Sequence, residues 1–248
     1  MNNIAIIIPT FNELENIEKL ITEIKIRLPE SEIYIVDDSK SQEIGELIKN
    51  KNIKVNYFHR ENESGRGSAV LFGLNKAIKK NKYQIFIEMD ADFSHDPNEL
   101  LRNINFFINE KLDLLIACRY LPDSKIINWS LSRRILSKMS NFLARNLLKI
   151  PLKDFTNGFR IYSPRSVEKI VLSCGNIGDG FILLSEIIVV IKNNFMQIGE
   201  IRTNFVNRER GVSSVNLKLI IASLYGIIKL AIIKKNLKKL SNKNFKFH

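Results

Sequence analysis

The 248-residue chain has little of several residue types on which whole classes of protein depend. Its two cysteines, Cys118 and Cys174, cannot build a disulfide framework and lack the paired spacing of a zinc site, which suits a reducing cytosolic setting. Three histidines are too few for a His-rich metal centre. The segment Arg60 to Ala69 lacks the full G-x-G-x-x-G pattern, which disfavours a Rossmann nicotinamide site, and there is no G-x-x-x-x-G-K-[ST] phosphate loop. The opening residues run straight into Ile4-Ala5-Ile6-Ile7-Ile8 with neither a basic n-region nor a small-residue cleavage site. They read as a buried strand, not a signal peptide. Internal repeats and low-complexity linkers are also missing.

What is present is apolar material, at 45% of the chain, enough for a sizeable core and too much for a disordered protein. Apolar runs of strand length, Ile4 to Ile8, Ile33 to Val36, Ile53 to Phe58, Ile85 to Met89 and Leu112 to Ala117, alternate with helical patterns. Those patterns span Leu14 to Leu28, Gln42 to Lys49, Ser68 to Lys79 and Pro97 to Ile108. Continuous apolar strands separated by helices predict an α/β fold, a doubly wound, mostly parallel sheet covered on both faces. In such sheets ligands bind beyond the carboxyl ends of the strands. After about Leu121 the pattern changes to a helix with an apolar face of Leu131, Ile135, Met139, Phe142, Leu143 and Leu147. Shorter elements follow around Phe159 to Tyr162, Arg165 to Leu172, Phe181 to Ile191 and Gln197 to Ile201, then a loop from Arg202 to Asn216.

The formal net charge of +12 is clustered. Gly211 to His248 holds eight lysines and no acid, Ser124 to Lys153 holds seven basic residues and no acid, and the rest of the chain is left at −3. Such clustering predicts an anionic partner. The run Leu217 to Ile233 is apolar but carries Lys218 and Lys229, which share a helical face with Ala222 and Tyr225. That pattern favours an amphipathic helix lying in a membrane interface over a spanning one; an ordinary core helix with a solvated basic tail is the alternative. The expected division is a domain over residues 1–214 and a membrane-associating helix with a basic tail over 215–248.

Carboxylates crowd the strand ends: Glu13 after the first strand, Asp37-Asp38 after the second, and Asp90-Ala91-Asp92 after the fourth. Like charges at one edge cost stability unless something cationic or hydrogen-bonding meets them. Asp90 and Asp92, two apart in extended chain, point to one side and suit Mg²⁺ or Mn²⁺ completed by water and a diphosphate. Helix capping by Asp96 before Pro97 and solvated acids are the plain alternative. Asp38 sits where an acid accepts from a ribose or base in this topology, or where an Asp-Asp-Ser turn needs one. His95 reads as a hydrogen-bonded structural residue of its turn. Trp129 fits a lipid headgroup layer or a core equally well.

Taken in order, P-T-F-N-E, V-D-D-S, G-R-G-S-A, M-D-A-D-F-S-H-D-P, C-R-Y, D-F-T-N-G-F-R and F-V-N-R-E-R-G-V-S resemble the family-2 glycosyltransferases of GT-A fold. The likeness is greatest to the dolichol-phosphate (polyprenol-phosphate) mannosyltransferases and runs from about Ile4 to Ser214. It implies that Pro9, Phe11, Glu13, Val36 and Asp38 line the base and ribose. It implies further that Asp90, Ala91 and Asp92 meet the sugar nucleotide, with Mg²⁺ or Mn²⁺ on Asp90 and Asp92 and Ser94 at a family-variable third metal position. Arg119, Arg133 and Ser137 match positions that hold the acceptor lipid phosphate, and Arg208 one near the nucleotide diphosphate. Asp154, Arg160 and Glu186 match positions near sugar and acceptor. The chain departs from the pattern at Phe11, where Tyr is usual, at Cys118, where Ser or Thr is usual, and at Ser214, where Lys is usual and Arg210 is a nearby cation.

The implied activity is transfer of mannose from GDP-mannose to dolichyl or another polyprenyl phosphate, with inversion, by an enzyme peripherally bound at the cytoplasmic face of a membrane. Transfer of glucose or an N-acetylhexosamine from a UDP-sugar to the same lipid is the enzyme alternative. A basic nucleic-acid-binding protein is disfavoured because the basic stretches interleave with Leu and Ile and no nucleic-acid motif occurs. A pseudo-transferase that only binds nucleotide is disfavoured by retention of both D-x-D carboxylates.

Overall fold

The computed structural model describes residues 3–61, 65–178, 180, 182–207 and 226–232. The first half alternates as expected: β1 (Ile4–Thr10), α1 (Leu14–Arg27), β2 (Glu32–Asp37), α2 (Glu43–Asn50), β3 (Asn56–His59), α3 (Arg66–Ile78), β4 (Ile85–Glu88), α4 (Leu100–Asn109) and β5 (Leu114–Cys118). A 3-10 turn at Pro97–Glu99 precedes α4, and its cap is Asp96, whose side chain accepts from the Asn98 N–H. The second half comprises β6 (Lys125–Ile127), α5 (Leu131–Leu148), β7 (Arg160–Tyr162), α6 (Pro164–Ser173), α7 (Ile182–Asn193), β8 (Ile198–Arg202) and β9 (Asn204–Val206).

Among the described residues, seven strands form one sheet in the order β3-β2-β1-β4-β7-β5-β8. All pairs are parallel except those of β7, which runs antiparallel to both β4 and β5. Alternation of side chains about the pleat explains why both faces are apolar. Ile4, Ile6, Ile8, Ile33 and Ile35 pack with α1, α2 and α4 on one face, whereas Ala5, Ile7 and Tyr34 pack with α3, α6 and α7 on the other.

The reversed β7 has a consequence for function. Because β7 enters the sheet where β4 and β5 end, the loop 154–159 before it is delivered to the carboxyl edge, with Arg160 in register with Glu88. Two elements escaped the periodicity reading: β6 and β9 pair in parallel as a separate two-stranded sheet, and an isolated bridge between His95 and Phe205 ties that sheet to the β4 end.

Helix α5 buries only Asn141, Ala144 and Leu148, while Leu131, Ile135, Met139, Phe142 and Leu147 are exposed. Among the described residues no helix is long and apolar enough to cross a membrane. Of the expected interfacial segment, only 226–232 is described. It is helical and docks on the domain: Ile227 and Leu230 join the core beside Ile182, and a Cβ at Gly226 would lie 2.6 Å from Ile182 Cγ1. Ile228 and Ile232 face outward. The expected interfacial face is therefore opposed by a face that packs on α7.

Leu230→Ala should lower unfolding free energy by about 2–5 kcal/mol in urea titration, as for other buried leucines. Ile228→Ala should stay within about 0.5 kcal/mol; equal small effects would contradict the docking of this helix.

Candidate active site

The ends of β1 and β2 divide their acids into two kinds. Asp37 is wholly buried and saturated: its Oδ1 accepts from Thr10 Oγ1 (3.1 Å), Ser39 N (3.0 Å) and Ser39 Oγ (2.5 Å), and its Oδ2 from the Tyr57 hydroxyl (2.9 Å). It builds the turn. Asp38 instead faces Arg60, whose Nε and Nη2 donate to Oδ1 and Oδ2, both at 2.7 Å, and Oδ2 also accepts from Gly65 N at 3.1 Å. Gly65 has φ 126°, a conformation that glycine adopts without strain. Around this pair lie Pro9, half-buried, Val36, buried, and Glu13, which accepts from Asn16 Nδ2 at 2.8 Å. Phe11 leaves the fold with 56% of its surface exposed, a flat apolar face at the rim.

At the end of β4, Asp90 receives Arg66: Nε donates to Oδ1 at 2.8 Å and Nη2 lies 2.7 Å from the same oxygen. Arg66 Nη1 also donates to Glu88 Oε1 at 2.7 Å, and Glu88 Oε2 accepts from the Tyr162 hydroxyl at 2.5 Å. Burial alone would lower the Arg66 pKa, yet Asp90 and Glu88 hold it above the usual arginine value. The Asp90 backbone N–H donates to His95 Nδ1 at 2.9 Å, so the ring proton resides on Nε2, which donates to Asn157 Oδ1 at 3.0 Å. With both nitrogens committed and 1% exposure, His95 is the structural residue its turn implied. Ala91 is buried between the two aspartates, and Asp92 Oδ1 accepts from Ser94 N at 3.1 Å.

Among the described residues no three His, Cys, Asp or Glu side chains gather as a metal cage. Two carboxylates are what a hard cation needs when water and a diphosphate complete its shell. Ser94 Oγ, buried with no hydrogen-bond partner among the described residues, is a further oxygen beside Asp92. The residues fit Mg²⁺ or Mn²⁺ on Asp90 and Asp92, with Ser94 adjacent.

A basic and aromatic cluster occupies the β5 end. Arg119 is buried and paired side-on with Asp154 (Nε to Oδ2 and Nη2 to Oδ1, both 2.8 Å), while Nη2 also donates to Thr156 Oγ1 at 2.6 Å. Its guanidinium carbon lies 5.3 Å from the ring centroids of both Trp129 and Phe205. Arg133 stacks over Trp129 at 4.3 Å and donates to Asn207 Oδ1 at 2.8 Å. Ser137 accepts from the Tyr120 hydroxyl at 2.6 Å, and Asn141 secures α5 by donating to Ser137 O and accepting from Phe155 N. Phe205 meets both His95 and Trp129 edge-on, so ring contacts connect the β4 and β5 sites.

The other resemblance-based residues lie deeper or elsewhere. Arg160 is wholly buried, donating to the carbonyls of Asn157, Leu184 and Phe155, which ties the loop 154–159 to α7. Glu186 accepts from Gly175 N at 2.9 Å and Asn176 N at 3.4 Å, fastening the turn after α6. Burial raises its pKa against those bonds and Lys229. Arg208, Arg210 and Ser214 lie outside the described residues. Motif reading gave no role to Arg60 or Arg66, although both stand in the segment it singled out, because their carboxylate partners are distant in sequence.

Residues 5–171 match the family described as glycosyl transferase family 2. The chain is 33% identical over 215 residues to a polyprenol monophosphomannose synthase of Mycolicibacterium smegmatis, covering 85% of this chain and 80% of that protein. It is 30% identical over 216 residues to an undecaprenyl-phosphate mannosyltransferase of Micrococcus luteus, covering 85% and 86%. To a dolichol-phosphate mannosyltransferase of Pyrococcus furiosus it is 33% identical over 233 residues, covering 92% of this chain and 63% of that protein. Among solved structures, glucosyl-3-phosphoglycerate synthase of Mycobacterium tuberculosis with Mn²⁺, UDP and phosphoglyceric acid superposes with a TM-score of 0.66 at 14% identity, covering 94% and 78%. That likeness establishes the GT-A fold.

The buried Arg119–Asp154 pair makes a stability prediction. Burial pushes the Asp154 pKa up, but Arg119 outweighs it and holds the carboxyl below its ordinary value. The pair's contribution is therefore complete above about pH 4, the unfolded value, and is lost as pH falls through the lower folded one. Arg119→Met should cost about 3–5 kcal/mol in urea unfolding near neutral pH, and adding Asp154→Leu should recover part of it. Strict additivity would contradict a coupled pair.

Proposed function

Since this chain belongs to glycosyl transferase family 2, we propose that it transfers mannose from GDP-mannose to a polyprenyl phosphate, of dolichyl or related type, inverting the anomeric centre at the cytoplasmic surface of a membrane. One observation carries this reading: paired carboxylates suited to a cation, and an arginine-rich aromatic cluster suited to a phosphate, share one sheet edge and are joined through His95, Phe205 and Trp129.

The donor would lie along the carboxyl ends of β1, β2 and β4. Phe11 offers its ring to the base, with Pro9 and Val36 beneath, and Asp38, already oriented by Arg60, accepts from the ribose. Asp90 and Asp92 would hold Mg²⁺ or Mn²⁺, which when bound offsets the charge on the nucleotide diphosphate. Arg208 would add a cation to the leaving side.

The acceptor would arrive on the other side of the His95 turn. A polyprenyl phosphate oxygen is already an anion, so its attack on the anomeric carbon needs orientation and charge stabilisation more than a strong base. Arg133 and Ser137, side by side on α5, would receive the phosphate. Arg119, locked to Asp154, would contribute its field from beneath, and Arg160 and Glu186 would keep the surrounding loops in place. One displacement turns an α-linked donor into a β-linked product.

The lipid side of the proposal is supported by α5. Its exposed stripe, including Leu131 at 73% and Phe142 at 60%, runs beside Arg134, Lys138, Arg145 and Lys149. An apolar stripe flanked by cations suits an anionic bilayer surface. The basic residues beyond 232, outside the described residues, would add to it.

Purified enzyme given Mg²⁺ or Mn²⁺, a polyprenyl phosphate and a panel of labelled nucleotide sugars should label the lipid from GDP-mannose. Labelling from UDP-glucose or a UDP-N-acetylhexosamine instead would overturn the donor assignment. Asp92→Ala should reduce the rate by at least about 10²-fold; full activity would sink the metal assignment. For the membrane surface, Ile135→Glu with Phe142→Glu should shift the protein from pellet to supernatant in sedimentation with anionic liposomes. Unchanged pelleting would remove α5 from the membrane contact.

A further inference from the structure

We infer that Arg66 is a positioning residue that sets the Asp90 carboxylate for the divalent cation, and that Gly158 is glycine to make room for it. The inference rests on the reading that Asp90 and Asp92 hold the metal.

The G-R-G-S-A segment contains no complete nucleotide-binding fingerprint, and the proposed chemistry has so far left its arginine without a task. Arg66 starts α3 from the far side of the sheet edge and reaches under the end of β4. There it grips two carboxylates at once, Glu88 through Nη1 at 2.7 Å and Asp90 through Nε at 2.8 Å. Glu88 cannot yield, since it is wholly buried and its second oxygen is held by the Tyr162 hydroxyl at 2.5 Å. The guanidinium is thereby anchored on β4 and β7, and Asp90 is held against that anchor. From the opposite side the Asp90 backbone is held by His95, which leans on Asn157. Asp90 is thus fixed at both main chain and side chain.

The D-F-T-N-G-F-R loop supplies the space. A Cβ on Gly158 would stand 1.9 Å from Arg66 Nη2 and 2.7 Å from its Cζ, so any larger residue would displace the guanidinium from its bonds to Glu88 and Asp90. Gly158 is not among the residues with positive φ, so space and not backbone conformation demands glycine here. Three motifs far apart in sequence, G-R-G, D-A-D and N-G-F-R, therefore meet in one contact. A carboxylate that binds metal performs according to the hydrogen bonds behind it, and losing such a partner typically costs about 10–100-fold in metal affinity. Lysine keeps the charge of Arg66 but cannot span both carboxylates with a planar fork.

The test is Mn²⁺ binding by full-length protein in the presence of GDP, followed by the loss of the free Mn²⁺ electron paramagnetic resonance signal, with thermal unfolding in parallel. Arg66→Lys and Gly158→Ala should each weaken Mn²⁺ binding about 10–100-fold. In turnover they should raise the half-saturating Mn²⁺ concentration while leaving KM for the polyprenyl phosphate in place. A merely structural Arg66 would lower the unfolding temperature without moving Mn²⁺ binding. Wild-type Mn²⁺ affinity in folded Arg66→Lys overturns the proposal, and this variant decides the matter if Gly158→Ala fails to fold. Wild-type affinity in Asp92→Ala would instead defeat the underlying metal reading, and the Arg66 proposal with it.

Discussion

The edge where the parallel strands end is held together by arginine and carboxylate pairs. Asp38 with Arg60, Asp90 and Glu88 with Arg66, and Asp154 with Arg119 stand at the ends of β2, β4 and β5. Without the arginines, a row of buried and part-buried acids at one edge would repel itself and pay for desolvation. With them, the acids are held in fixed directions, and the edge is prepared for a donor whose own diphosphate is anionic. The rest of the architecture serves this arrangement: β7 runs backwards so that the loop bearing Asp154 and Asn157 reaches the edge, and the small β6–β9 sheet brings Phe205 against His95.

On the proposed reading, residues that would touch ligands are separate from residues that would hold them. Asp37 and His95 turn their bonding atoms toward the protein's own backbone and side chains, and Arg160 and Glu186 each bond to backbone groups of neighbouring segments. Phe11, Asp92 and Arg133 lie nearer the open side. The α5 helix then extends the site outward: anchored inward at Asn141 and Leu148, it leaves its apolar stripe uncovered next to the cluster proposed for the lipid phosphate. A headgroup and its chain would so meet adjoining parts of one helix.

Much of this was legible in the chain. The strand and helix alternation through β5 follows from isoleucine-rich runs with helical patterns between them, and the acids at the strand ends mark the expected ligand edge in the sequence itself. The rest depended on contacts that periodicity does not encode. Strands β6 and β9 are three residues each, too short for a pattern, and although an element is legible around Phe159 to Tyr162, the reversal of β7 is invisible in F-R-I-Y. Nothing local says that Arg66 will find Glu88 and Asp90 rather than solvent. The run containing Ile227 and Leu230 is apolar on several sides, so its composition suits a bilayer interface and a core alike; in the described stretch Ile227 and Leu230 join the core beside Ile182 while Ile228 and Ile232 stay exposed.

On the proposed reading, this edge aligns a lipid phosphate for one direct displacement at the sugar, with no covalent intermediate on the protein. The most direct measurement is the anomeric configuration of the lipid-linked mannose formed from GDP-α-mannose, read from the one-bond carbon–proton coupling at C1 of the product. A single displacement gives a β-linked product. An α-linked product would mean two displacements or front-side attack, and would contradict it.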